Sequence, residues 1–301
     1  MRIGLLHHGN EQYVWGSVIT TLYLQKALQR LGHDVWRISV TEHQDYPTLL
    51  SKKTDLIICE GVPEWQIPKG VWDTTDKKIF WWLSDLFYNV DTVVTSNFDG
   101  IATNSNQVSD LIKMGKTAAR IDLAVDKDMP LASPCDQYKS DFVYVGSYPH
   151  KSKEQMDQMF LSCADIGSFS LWGNGWDESP YSVYYKGVLP LFDIGKLYKS
   201  VKYTVLLTET RQKNRGMINN RVFEALACGC LGISEKYDTL EKSDLGEFIQ
   251  FSNGSTELLK MLVDYDCDYM RKKRMQASKY VIEKHNYDIR AKQFIELYNN
   301  L

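Results

Sequence analysis

Residues 210–223 carry four cations, Arg211, Lys213, Arg215 and Arg221, and no acid. The later part of this stretch, Asn219-Asn220-Arg221-Val-Phe-Glu224-Ala-Leu-Ala, passes from polar residues into an apolar run, as a helix start does. A helix N-terminus presents N–H groups that have no partner inside the helix, and guanidinium groups beside it complete a phosphate site. Glu224 follows Arg221 by three residues, so on a helix the two share a face. A carboxylate one turn in can accept from both hydroxyls of a ribose while a diphosphate rests on the helix end. The plainer reading is a surface loop with a solvated Arg–Glu pair.

Other segments could do chemistry at strand ends. In Gly146-Ser147-Tyr-Pro-His-Lys151 the glycine permits close backbone approach, and Lys151 or Lys153 could reach a diphosphate. Leu-Trp-Gly173-Asn-Gly-Trp176 places glycines and aromatics where a base could stack, although packed Trp beside turn glycines fits equally. His7-His8-Gly9-Asn10 and Trp81-Trp82-Leu83-Ser84-Asp85 close two earlier apolar runs. Asp264-Tyr-Asp266-Cys-Asp268 has the spacing of a metal-binding Asp-x-Asp but reads as a solvated turn and helix cap, and 270–274 (MRKKR) as a solvated basic face. No metal site is expected, and the absence of Gly-x-Gly-x-x-Gly counts against a nicotinamide enzyme.

These segments need elements to hold them. Apolar runs at 3–6, 34–40, 56–59, 79–82 and 100–103 read as buried strands, with helices at 17–31 and 106–114. Residues 130–138 (PLASPCDQY) break the pattern and suggest a linker. Beyond them strands at 142–145, 169–172, 203–207 and 231–234 alternate with helices at 152–164, 193–200 and 219–228 before a helical C-terminus. The expectation is an α/β chain of two Rossmann-like domains, 1–135 and 136–301, with ligand in the cleft at the carboxyl ends of the strands.

Bulk properties narrow the class. With 301 residues, 44% hydrophobic and 24% charged, the chain suits two globular domains. The 13 cations and 16 acids of 1–135 leave −3, and 22 of each cancel over 136–301, so neither half has the cation excess of a sequence-independent nucleic-acid binder. No apolar stretch approaches a membrane span and 3–6 is too short for a signal peptide core, so a cytoplasmic location is expected. The six scattered Cys read as buried free thiols in a reducing compartment.

The stretch NNRVFEALACGCLGISE resembles the signature of GT-B glycosyltransferases of the spore-maturation-protein type, relatives of the large retaining family 4. DFVYVGSYPHK, LWGNGW, YYKGVLPLFDIGKLYKSVKYTVLLT and ASKYVIEKHNYDIRAKQFIELY resemble further segments of that family in order and spacing. The likeness covers about residues 140–300 well and the first half in outline, through GHDV, FWWLSD and AVDKDMP. The family pattern has two Glu eight residues apart, and here Gly216 stands where the partner of Glu224 would be.

The resemblance implies a metal-independent glycosyltransferase that moves a sugar from a nucleoside diphosphate sugar, with UDP-sugar favoured, to an acceptor hydroxyl with retention. No cofactor beyond this co-substrate is implied. Donor contacts carry over to Gly146, Ser147, Lys151, Gly173, Trp176, Arg215, Asn219, Asn220, Arg221 and Glu224, with Asp85 and His8 as catalytic candidates on the acceptor side; a helix-capping Asp85 is the alternative. The last helix, 288–301, is expected to cross back to the N-terminal domain. The acceptor stays open among a glycan or lipid-linked intermediate, a small molecule, a protein, and a hydroxylated or hydroxymethylated DNA base as in phage enzymes. Rival readings are a non-catalytic nucleotide-sugar-binding module and an epimerase acting on the donor.

Overall fold

Six strands from the first part of the chain, β1 (Arg2–His7), β2 (Asp34–Ser39), β3 (Thr54–Glu60), β4 (Thr75–Trp82), β5 (Gly100–Thr103) and β6 (Thr117–Arg120), form one parallel sheet in the order β2-β1-β3-β4-β5-β6. A second parallel sheet takes β7 (Ser140–Val145), β8 (Phe169–Trp172), β9 (Val201–Val205), β10 (Leu231–Ser234) and β11 (Gln250–Phe251) in the order β11-β10-β9-β7-β8. The computed structural model describes residues 1–9, 16–41, 53–83, 89–148, 153–252 and 255–301. They divide into two units: Met1–Ala124 with Asn214–Met217 and Tyr287–Leu301, and Val125–Lys213 with Ile218–Asn286.

Parallel strands need cover on both faces, which is why they read as unbroken apolar runs. Leu56, Ile57, Ile58 and Cys59 of β3 are all fully buried. In the first unit helix Gly16–Arg30 packs on helix Tyr287–Asn299, with the Tyr23 and Tyr287 rings 5.7 Å apart and Arg30 Nε donating to Asp288 at 2.7 Å. Phe294 of the same terminal helix meets Trp81 of β4 edge-on at 4.8 Å.

The division falls at 124/125, ahead of the proline-containing stretch that composition marks as a linker. That stretch belongs to the second unit, where it forms 3-10 turns at Met129–Leu131 and Asp136–Tyr138. It docks on helix Ile194–Ser200 so closely that a Cβ on Gly195 would lie 2.9 Å from the Met129 carbonyl. Irregular composition here reflects a packed loop rather than a free tether.

Candidate functional site

In the second unit helix Asn220–Ala227 starts at the carboxyl side of β9. Its N-cap, Asn219, makes no side-chain cap to the helix; its amide donates instead to Thr208 Oγ1 at 3.0 Å. No side chain caps the helix; Val222 N–H donates to the Asn219 carbonyl at 3.1 Å, and Asn220 is the first helical residue. Arg221 is half-buried: Nη1 donates to the Leu207 carbonyl at 2.7 Å, and its guanidinium lies 4.8 Å from the centre of the Tyr144 ring. One turn on, Glu224 is 2% exposed and its Oε1 has no hydrogen-bond partner. Burial pushes this carboxyl up to about 8, against the pull of Arg221. Without ligand, Glu224 is a neutral acid at neutral pH; two hydroxyl donors would favour its charged form.

The glycine loops after β7 and β8 lock together. Gly146 N–H donates to the Trp172 carbonyl at 2.9 Å and Tyr148 N–H to the Asn174 carbonyl at 3.0 Å. Gly173, at φ +133°, comes so near the Gly146 carbonyl that a Cβ would sit 2.4 Å from it. The space beside the Gly146 α-carbon is occupied from within, since a Cβ there would meet the Tyr144 hydroxyl at 2.8 Å and Arg221 Nη2 at 2.9 Å. The Trp176 indole is fully buried and donates to the Gly146 carbonyl at 2.6 Å, so it braces the loop from below and has no open face for a base. Ser147 is exposed on this loop. Lys151 lies outside the described residues, as does Asp85.

Arg215 belongs to the first unit, where its guanidinium lies 5.5 Å from the Trp82 ring centre and its carbonyl accepts from Asn106 N–H at 2.9 Å. The structure thus does not gather it with Arg221 in one unit. Next to it, Gly216 has φ +71°, and a Cβ would fall 2.2 Å from Asn106 Nδ2. The carboxylate that the family pattern puts here is replaced by an amide already in its place. Gly216→Glu should therefore cost about 1–3 kcal/mol through backbone strain and overpacking, read as a fall in the urea midpoint, and should add no activity.

His8 follows β1 in the first unit. Its backbone N–H donates to Ser17 Oγ at 3.2 Å, and the Ser17 hydroxyl donates to Glu60 at the end of β3. Burial lowers the His8 pKa, partly offset by a hydrogen bond to the Gly61 main chain, so its ring is a neutral imidazole near pH 7. His7 is structural: Arg37 Nη1 donates to its Nε2 and its Nδ1–H donates to the His8 carbonyl, each at 3.0 Å. Glu60, 7% exposed, is a candidate that sequence reasoning missed; its one signal was an acid closing the apolar run of β3. Asp264 and Asp268 border the turn between helices Ser255–Asp264 and Asp268–Lys284, where Arg274 lies 3.9 Å from the Tyr265 ring centre.

Residues 153–296 match the family described as glycosyl transferase-like. No curated protein sequence matches the chain. Among solved structures, the fold is similar over 99% of this chain to an α-glucosyltransferase in complex with UDP and a 13-mer DNA containing an HMU base (TM-score 0.71, 12% identity, 99% of that chain). It is also similar to AviGT4, a glycosyltransferase involved in avilamycin A biosynthesis (TM-score 0.64, 16% identity, 99% of this chain and 97% of that one). The chain has the GT-B fold, and its residues 153–296 are glycosyl transferase-like. The DNA-modifying enzyme β-glucosyltransferase shares the fold as well (TM-score 0.66, 14% identity, 99% of this chain and all of that one). The family match puts this GT-B protein in the glycosyltransferase class of enzymes but does not reach the spore-maturation-protein type or family 4. Among the described residues no helix is long and apolar enough to cross a membrane.

Proposed function

We propose that this GT-B protein transfers a sugar from a nucleoside diphosphate sugar, with UDP-sugar favoured, to an acceptor hydroxyl. The observation that carries the reading is the pairing of Arg221 and Glu224 on one face at the uncapped start of helix Asn220–Ala227. The helix end and Arg221 hold the diphosphate, so that charge developing on the leaving group meets N–H dipoles and a guanidinium in place. Glu224 holds the ribose. Gly146, Ser147 and Gly173 shape the phosphate side of the site, Trp176 braces it, and Asn219 and Asn220 present the helix end.

Retention is proposed with the leaving phosphate oxygen taking the acceptor proton on the same face. His8, neutral and held at Gly61, orients the acceptor hydroxyl. Asp85 and Lys151 keep their roles from the family resemblance, acceptor or sugar contact and diphosphate contact. A second acceptor reading, a hydroxylated or hydroxymethylated base in DNA, draws support from the two DNA-acting structures of the same fold. The net −3 of residues 1–135 weighs against it.

The test is to incubate the protein with a panel of nucleotide sugars, with and without glycan, small-molecule and hydroxymethylated-DNA acceptors, in buffer containing EDTA. Release of nucleoside diphosphate that EDTA leaves intact is the expected result, with an α product from an α donor. Donor binding without release would make the protein a binding module. Sugar interconversion without acceptor would make it an epimerase, and activity that returns only with Mn²⁺ would remove the metal-free mechanism.

A further inference from the structure

Residues that follow β7, β9 and β10 in the chain meet on one ion pair. Lys213 closes the short helix Thr210–Asn214 after β9, Glu235 follows β10, and Gln155 lies in helix Lys153–Met156 after β7. Lys213 Nζ bonds Glu235 Oε1, while Gln155 Nε2 donates to Glu235 Oε2 at 3.1 Å. The pair is largely removed from water, with side chains 14% and 25% exposed. An ion pair in such a place gains little stability, because desolvation offsets the attraction.

The ammonium of Lys213 has three N–H donors, and among the described residues it has no hydrogen-bond partner other than Glu235. Its neighbourhood is that of the helix end. Tyr237 shares a hydrogen bond with Thr208, the residue that also holds Asn219, and lies within electrostatic reach of both Arg221 and Glu235. A nucleoside diphosphate has a fixed order of parts: base, ribose, first phosphate, second phosphate. With the ribose at Glu224 and the first phosphate on the helix N-terminus, the next cation outward meets the second.

We propose that Lys213 binds the second, sugar-bearing phosphate of the donor, and that Glu235, held between Lys213 and Gln155, is the positioning residue that aims the ammonium. The assignment rests on the donor site proposed above and adds to it a cation outside the motif at 219–224.

The test compares UDP, UMP and uridine by titration calorimetry on the full chain. Lys213→Met should weaken UDP about 10- to 100-fold, the effect of losing one charge-assisted contact, and leave UMP and uridine unchanged. Glu235→Gln should move UDP in the same direction by less, and Lys213→Arg should recover part of the loss. Equal UDP affinity in Lys213→Met, or equal losses for all three ligands, overturns the assignment. If Glu235 left alone prevents folding, Lys213→Met with Glu235→Met removes both charges, and the same selective loss of UDP is expected; its absence overturns the assignment. Wild type that binds none of the three ligands overturns the donor-site reading and this assignment together, whereas wild-type binding that Lys213→Met does not alter overturns this assignment alone.

Discussion

Arg221→Ala should weaken UDP about 10- to 100-fold while leaving uridine close to wild type, the effect of losing a charge-assisted contact worth about 1.5–3 kcal/mol. The guanidinium is positioned for such a contact. It is pinned by the Leu207 carbonyl at 2.7 Å and stacked over Tyr144, so it reaches the helix end without paying much side-chain entropy on binding. Truncation also removes the pinning bond and the stacking, which should lower stability by roughly 1–2 kcal/mol. Arg221→Lys should not restore binding fully, because an ammonium cannot stack and bond the carbonyl with the same planar geometry. Titration calorimetry with both ligands, beside a urea melt, separates the two losses. Equal weakening of uridine and UDP would make Arg221 a brace for the β7 and β9 loops and nothing more.

Glu224→Gln should stabilise the protein at high pH and weaken its donor binding there. Burial raises the folded-state pKa of this carboxyl to about 8 from an ordinary 4.5. Between these values the folded chain keeps a proton that the unfolded chain releases, so stability falls as pH climbs from about 4.5 to about 8. Above that window the full cost, on the order of 5 kcal/mol, is present, and Gln escapes it. The gain in Tm of the variant should be near zero at pH 4.5, grow through neutrality and level off above pH 8. Donor binding runs the other way, because two ribose hydroxyls prefer the carboxylate. Wild-type affinity should rise with pH up to about 8, and that of Glu224→Gln should stay flat. A Tm difference that does not vary with pH would mean the carboxyl is ionised and paired in the free protein.

The alternation of apolar runs made the two parallel sheets legible in the sequence, because strands covered on both faces must be apolar throughout. The strands it missed lack that signature: β6 is Thr-Ala-Ala-Arg at an edge and half-exposed, and β11 has two residues. Helices Lys69–Thr74, Val90–Val94, Thr210–Asn214 and Asp238–Glu241 are too short to show a helical period. At the site, the run from Asn219 to Glu224 was readable because helix starts and charge spacing are local. What Gly146, Trp176 and Gly216 do was not, since each depends on a residue distant in sequence: Arg221 under Gly146, the Gly146 carbonyl on Trp176, and Asn106 against Gly216. The pairing of Lys213 with Glu235 is hidden for the same reason, because two strand ends must come together first.

The central claim, that Glu224 holds the ribose of a nucleotide donor, is tested most directly by a four-way cycle. UDP and 2′-deoxy-UDP are titrated into wild type and Glu224→Gln at pH 8.5, where the free carboxyl is largely ionised. The cycle cancels any general effect of the substitution and any general effect of the missing hydroxyl, and keeps only their interaction. Wild type should prefer UDP over the deoxy ligand, the variant should lose most of this preference, and the coupling should be about 1 kcal/mol or more. A coupling of zero in a folded variant would contradict it and leave Glu224 a buried helix residue with no ligand.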